Sequence, residues 1–280
     1  MTKRDLPRAD IAARPGMRTA VTDDAMQRWV PDLRAAADGA GEATISILDV
    51  IGQDFWGEGV TAKRIGAALR QIGDRDVTVY INSPGGDFFE GLAIYNQLRD
   101  HRGAVNVKIL GLAASAASVI AMAGDRIEIG RAGFLMIHNT WIVTMGDRHA
   151  IRDVADWLEP FDAASADLYA ARTGMAVDEI AKLLDRETWI GGRQAVDEGW
   201  ADALLSADQV ETAPDGDAKA QLRAERRFDL VAARAGMKRS EGRELLAALK
   251  GGMPGAAPTG TQDAAVIAGV EQLLQDLKAR

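Results

Sequence analysis

The chain has 280 residues, of which 47% are hydrophobic and 26% charged, with no cysteine, three histidines and a formal net charge of −8. That length allows one large or two small domains with a buried core. The missing thiols exclude a disulfide scaffold, a cysteine nucleophile and a thiolate metal site. The acidic balance argues against nucleic acid as a main partner.

The opening segment, MTKRDLPRADIAARPGMR, is charged and lacks an apolar stretch, so no signal peptide is expected. Residues 1–40 are polar and alanine-rich, with Pro7, Pro15 and Pro31, and read as an N-terminal extension outside the core. From Ala43 the texture changes. Ile45 and Ile47 alternate with Thr44, Ser46 and Leu48, which predicts a strand with one face more buried. Val60–Ile72 carries apolar residues at helical spacing, and Val77–Ile81 is a β-branched strand that runs into the turn-rich Asn82-Ser83-Pro84-Gly85-Gly86. Phe88–Leu98 reads as helix and Val105–Leu110 as strand.

Gly111–Gly124 carries no charge, yet it is shorter than the roughly 20 apolar residues a bilayer requires and is mostly Ala, Ser and Gly. It is expected to form a buried helix from about Ser115 to Ala123 in a soluble protein. Two short strands follow, Arg126–Ile129 and Phe134–Ile137, then a helical arm over Asp147–Arg172 that Pro160 should kink or break. Asp178–Leu184 and Gly192–Glu198 complete the regular pattern. Strand and helix alternate in short units, which argues for an α/β protein with largely parallel strands. Beyond residue 207 the chain turns into Gly/Pro/Ala-rich linkers around two expected helices, Glu241–Lys250 and Ala264–Lys278. The second carries an apolar stripe suited either to its own domain or to a partner.

Three features could carry chemistry. Gly85-Gly86, between a strand and a helix, can adopt unusual backbone angles and offer N–H groups to an anion or oxyanion, or can simply make a tight connection. Ser115 opens a buried helix amid small residues, where a nucleophile would benefit from backbone N–H groups and where a serine can equally act as a cap. Of the three histidines, His101 and His149 stand in charged helix ends, whereas His138 follows the apolar Phe134-Leu135-Met136-Ile137. There an imidazole can be held as a base or satisfied structurally. Serine, histidine and an acid near a glycine turn together fit acyl transfer.

Ile81-Asn82-Ser83-Pro84-Gly85-Gly86, the helix with Gly91, Ile94 and Tyr95, Gly111-x-Ala113-Ala114-Ser115 and Met136-Ile137-His138 resemble the proteolytic subunit of the Clp protease, in order over about residues 43–205. The run from Ser83 to Asn96 is similar to the Clp-related head maturation proteases of tailed phages and prophages. The resemblance implies a Clp/crotonase-like fold of repeated β-β-α units with a protruding helical handle, here with a C-terminal helical extension. It places the protease domain at 41–207 and the linker-rich extension at 208–280.

By the same resemblance Ser115 is the nucleophile, His138 the general base, and the Gly86 and Ala116 N–H groups form the oxyanion hole. The third triad position falls on Glu187, where the family carries aspartate, with Asp185 as the fallback. No metal or cofactor is implied. The implied activity is a serine endopeptidase cleaving phage scaffold and capsid proteins, in a homo-oligomeric ring, in the host cytoplasm or inside the procapsid. Pro160 in the handle argues against stacked double rings, and the N-terminal segment does not match the loops that meet a partner ATPase. The other readings are a Clp-type subunit fed by an unfoldase, an acyl-CoA enzyme of the same fold, and an inactive scaffold.

Overall fold

A computed structural model describes residues 18–19, 21–31, 33–35, 43–52, 59–206 and 210–212, and within 222–247 residues 222, 224–229, 231–232, 237, 241–242 and 244–247. The chain divides into two compact units, one of residues 1–52 and 60–212, the other of 53–59 and 213–280.

The first unit is built on a seven-stranded sheet. Strands β3 (Ala43–Ile47), β4 (Val77–Ser83), β5 (Val105–Ala114), β6 (Arg126–Ile129) and β10 (Ala203–Leu204) run parallel in the order β10-β6-β5-β4-β3. Their β-branched runs account for the core: Ile47, Val77, Val79, Ile81, Val105, Val107, Ile109, Ile127 and Ile129 are fully buried. Ser46 is exposed between buried Ile45 and Ile47, as the alternation predicts.

Strand β5 holds the architecture together. Its first half, from Asn106 to Ile109, pairs with β6; its second half, from Leu112 to Ala114, pairs in parallel with β7 (Phe134–Ile137). Strand β7 then pairs antiparallel with β9 (Thr188–Gly191). The strand therefore runs to Ala114 rather than ending at Leu110, and the buried helix is the short α4 (Ala116–Ala121). The missing side chain at Gly111 allows this, since the Leu33 and Asn82 side chains stand over that position. A Cβ on Gly111 would stand 2.7 Å from the Leu33 side chain.

The helices α2 (Ala62–Ile72) and α3 (Phe88–Asp100) are capped by Thr61 and Asp87, each side chain accepting from the first turn's backbone N–H groups. The arm is a single helix, α5 (Arg148–Thr173), which continues through Pro160. The expected break does not occur. Pro160 and Asp156 lie on the exposed side, so the carbonyl that loses its intrahelical donor faces water. An unbroken arm does not stand against stacked rings. Helices α6 (Val177–Asp185) and α7 (Gly192–Asp197) complete this part of the unit.

Residues 21–31 and 33–35 are not set apart from the core. Helix α1 (Asp23–Arg28) buries Ala25 and Met26, and Trp29 after it is fully buried. The Trp29 indole N–H donates to the Asn82 carbonyl at 2.9 Å, and the Asn82 amide donates to the Val30 carbonyl at 2.6 Å. Strand β2 (Leu33–Ala35) pairs antiparallel with β11 (Val210–Thr212), and β1 (Arg18–Thr19) with β8 (Ile142–Val143).

The second unit shows helical turns over 224–229, with Phe228, Ala232 and Leu246 buried and Arg226 3.5 Å from Asp229. Residues 264–278 lie outside the described residues, and only 241–242 and 244–247 of the helix expected at 241–250 are described, as helix. Among the described residues no helix is long and apolar enough to cross a membrane.

Candidate active site

The site forms where β5 and β7 end side by side. Ala114 pairs with Met136, and the Ser115 N–H donates to the Met136 carbonyl at 2.8 Å. One residue past Ala114 comes Ser115, and two past Met136 comes His138. The Ser115 hydroxyl and His138 Nε2 are thereby brought to 2.8 Å. Ser115 occupies the N-cap position of α4 but makes no side-chain cap hydrogen bond. Of the two roles open to it, capping is the one its geometry does not take up.

The backbone at Ser115 has φ 53° and ψ −123°, a conformation that side-chain-bearing residues rarely adopt. Among the described residues only one other non-glycine has positive φ, Glu187 at 45°. Both were singled out from sequence as site residues.

Opposite Ser115 lies the glycine turn. Gly85 has φ 92° and Gly86 φ 148°, and a Cβ at Gly85 would stand 2.6 Å from the Ala114 carbonyl and 2.8 Å from the Ser115 Cβ. A Cβ at Gly86 would collide with the Ile51 backbone. Only glycine lets this loop approach Ser115 so closely. Among the described residues, neither the Gly86 nor the Ala116 N–H has a hydrogen-bond partner. Two donors beside a nucleophile can receive an oxyanion. Gly86, Phe88, Val119, His138, Trp141 and Tyr169 line the cleft around Ser115.

Burial lowers the His138 pKa to about 4, so the imidazole is neutral at pH 7 and able to accept a proton. Its bond to Ser115 is the one hydrogen bond it makes among the described residues. Neither acid candidate reaches it. The Glu187 carboxylate accepts from the Trp189 indole at 3.3 Å, and Asp185 accepts from the Asn139 side chain at 2.8 Å. The structure thus brings Ser115, His138, Gly86 and Ala116 together and gives Glu187 and Asp185 partners other than the imidazole.

Several supporting residues were not singled out from sequence. Asp162 on α5 accepts from the Thr140 N–H at 2.6 Å and so ties down the segment after His138. Burial and the nearby Asp185 charge push its pKa up, against the Thr140 hydrogen bonds. Arg28 stacks over Trp189 at 4.4 Å from the ring centroid. Asn82, whose own carbonyl and amide are held by residues 29–30, anchors the start of the glycine turn. No periodic pattern marks these residues, because each acts across elements far apart in the chain.

Known proteins can be compared with this geometry. The family model described as Clp protease matches residues 55–208. ATP-dependent Clp protease proteolytic subunit 3 of Rhodococcus jostii (strain RHA1) is 35% identical over 136 residues, covering 48% of this chain and 67% of that protein. ATP-dependent Clp protease proteolytic subunit 1 of Cutibacterium acnes (strain DSM 16379 / KPA171202) is 30% identical over 165 residues, covering 55% of this chain and 76% of that protein. Among solved structures, a mutant of ClpP1 from Listeria monocytogenes superposes with a TM-score of 0.50 at 24% identity, over 59% of this chain and 91% of that one. At that identity the likeness shows the fold, and it is the fold expected from the sequence motifs.

Proposed function

The chain belongs to the Clp protease family, and from the Ser115–His138 pair within it we propose that the protein is a serine endopeptidase. The 2.8 Å contact between the hydroxyl and a neutral imidazole is the observation that carries this reading. Ser115 Oγ attacks the peptide carbonyl while His138 Nε2 takes its proton. The Gly86 and Ala116 N–H groups receive the oxyanion. The imidazolium then protonates the leaving amine, and water repeats the sequence to release the acyl group.

A base with a pKa of about 4 is poorly matched to work near neutrality. A carboxylate at Nδ1 would raise it and stabilise the imidazolium. We assign that role to Glu187, whose bond to Trp189 is long at 3.3 Å and would have to be exchanged for one to His138. Asp185 is the alternative, held by Asn139.

The finer reading is a head maturation protease that cuts phage scaffold and capsid proteins. It rests on the run Ser83-Pro84-Gly85-Gly86-Asp87 through Glu90-Gly91 to Ile94-Tyr95-Asn96 and on the chain beyond the protease unit. The protein would work as a homo-oligomeric ring in the cytoplasm of the host or inside the procapsid. Incubation of purified protein with scaffold and capsid proteins tests this. Cleavage by wild type and not by Ser115→Ala supports it. The second reading is a proteolytic subunit fed by an ATPase, as the names of the Rhodococcus and Cutibacterium relatives say of those proteins. It predicts protein degradation only when a Clp ATPase and ATP are added.

A further inference from the structure

Beneath the nucleophile runs a buried hydrogen-bond chain that the proposed mechanism does not use. The Ser118 hydroxyl lies 2.6 Å from the Ser115 carbonyl, and the Tyr169 hydroxyl lies 2.7 Å from Ser118 Oγ. Ser118 is fully buried and Tyr169 nearly so, at 2% exposure. A serine hydroxyl has a single proton, and the Ser115 carbonyl can only accept, so Ser118 donates to Ser115. That leaves Tyr169 as the donor to Ser118. Burial pushes the Tyr169 phenol well above its ordinary pKa, so the proton is retained.

The chain ends on a strained stretch of backbone. A non-glycine residue held at φ 53° costs on the order of 1–3 kcal/mol and persists only where its surroundings over-determine it. Ser115 is held from β7 through its N–H to Met136, and from α4 through its carbonyl, which accepts from the Ser118 and Val119 N–H groups at 2.9 and 3.3 Å. Those contacts belong to the strand and the short helix themselves. The Tyr169 chain is different, since it reaches the same carbonyl from α5. Tyr169 is braced in turn by Trp200, with ring centroids 5.6 Å apart.

We propose that Tyr169 and Ser118 are positioning residues that hold the Ser115 turn in its reactive conformation and so couple the helical arm to the nucleophile. This rests on the serine-peptidase reading above. The arm and the nucleophile are then linked by geometry: a shift of α5 that lengthens the Tyr169–Ser118 bond relaxes the turn and moves Ser115 Oγ away from His138.

The test uses the full chain with Tyr169→Phe, Ser118→Ala and the double variant. Two readouts are taken: the maximal inactivation rate and half-saturation of a fluorophosphonate, and amide hydrogen exchange over residues 115–119 against β4. A hydrogen bond of ordinary strength predicts a fall of roughly three- to tenfold in maximal rate for each single variant, with half-saturation unchanged. The double variant should fall no further, because both changes break one chain. Exchange should quicken at 115–119 and not in β4. Wild-type inactivation rates in the single variants, or additive losses in the double, overturn the proposal. Where Tyr169→Phe does not fold, Ser118→Ala decides alone. If wild type itself does not react, the serine-peptidase reading fails, and the exchange data alone decide whether the chain holds the turn: faster exchange at 115–119 supports it and unchanged exchange overturns it.

Discussion

Ala114 and Met136 stand opposite each other on parallel strands, and this register is what places the Ser115 hydroxyl 2.8 Å from His138 Nε2. A slip of one residue would turn one of the two side chains to the other face of the sheet. The register is protected by complete burial of Ala113, Ala114, Leu135, Met136 and Ile137, so the site inherits its precision from the core.

Burial of His138 makes stability depend on pH. Its folded pKa of about 4 lies below the roughly 6.5 of an unfolded histidine, so between these values the unfolded chain binds the proton and the folded one does not. Stability from this group is present above pH 6.5 and is lost as the pH falls towards 4, by about 3 kcal/mol at full extent. Melting curves of wild type should drop more steeply over that range than those of His138→Ala. Parallel curves would show that His138 titrates as it does in the unfolded chain.

The choice of third triad member can be made kinetically. Glu187→Gln should slow acylation of Ser115 by about one to two orders of magnitude, whereas Asp185→Asn should change it by less than about threefold. The reverse ranking would transfer the role to Asp185. Equal, small effects would mean that the pair acts without a carboxylate.

Gly85 faces Ser115 with no room for a side chain. Gly85→Ala forces a Cβ to within 2.8 Å of the Ser115 Cβ at a backbone angle unsuited to alanine. The loop must move away, and with it the Gly86 N–H. Loss of one oxyanion donor predicts a fall in turnover of about a hundredfold or more. A Gly85→Ala protein that keeps wild-type turnover would remove the glycine turn from the mechanism.

Much of this architecture was legible in local sequence. Arg126–Ile129 and Phe134–Ile137 read as strands within their observed bounds, because short β-branched and aromatic runs between glycines leave little else. His138 could be singled out because it follows such a run, and Ser115 because it opens a buried helix amid small residues. Where the reading departed, tertiary contacts had the deciding part. Gly111–Ala114 falls between the expected strand and helix and becomes strand because β7 lies alongside it. Pro160 reads as a break and is carried through because its side of α5 faces solvent. Trp29 lies in a segment without periodicity, yet its indole is buried on the Asn82 carbonyl, a contact between residues 53 positions apart. The Tyr169–Ser118 bond spans 51 positions and leaves no local trace either.

The central claim is that Ser115 is a nucleophile activated by His138. Labelling with a fluorescent fluorophosphonate tests it directly in wild type, Ser115→Ala and His138→Ala. Labelling should be absent in Ser115→Ala and reduced at least about a hundredfold in His138→Ala, with both variants folded. Equal labelling of wild type and Ser115→Ala, or none in a folded, oligomeric wild type, would contradict the assignment.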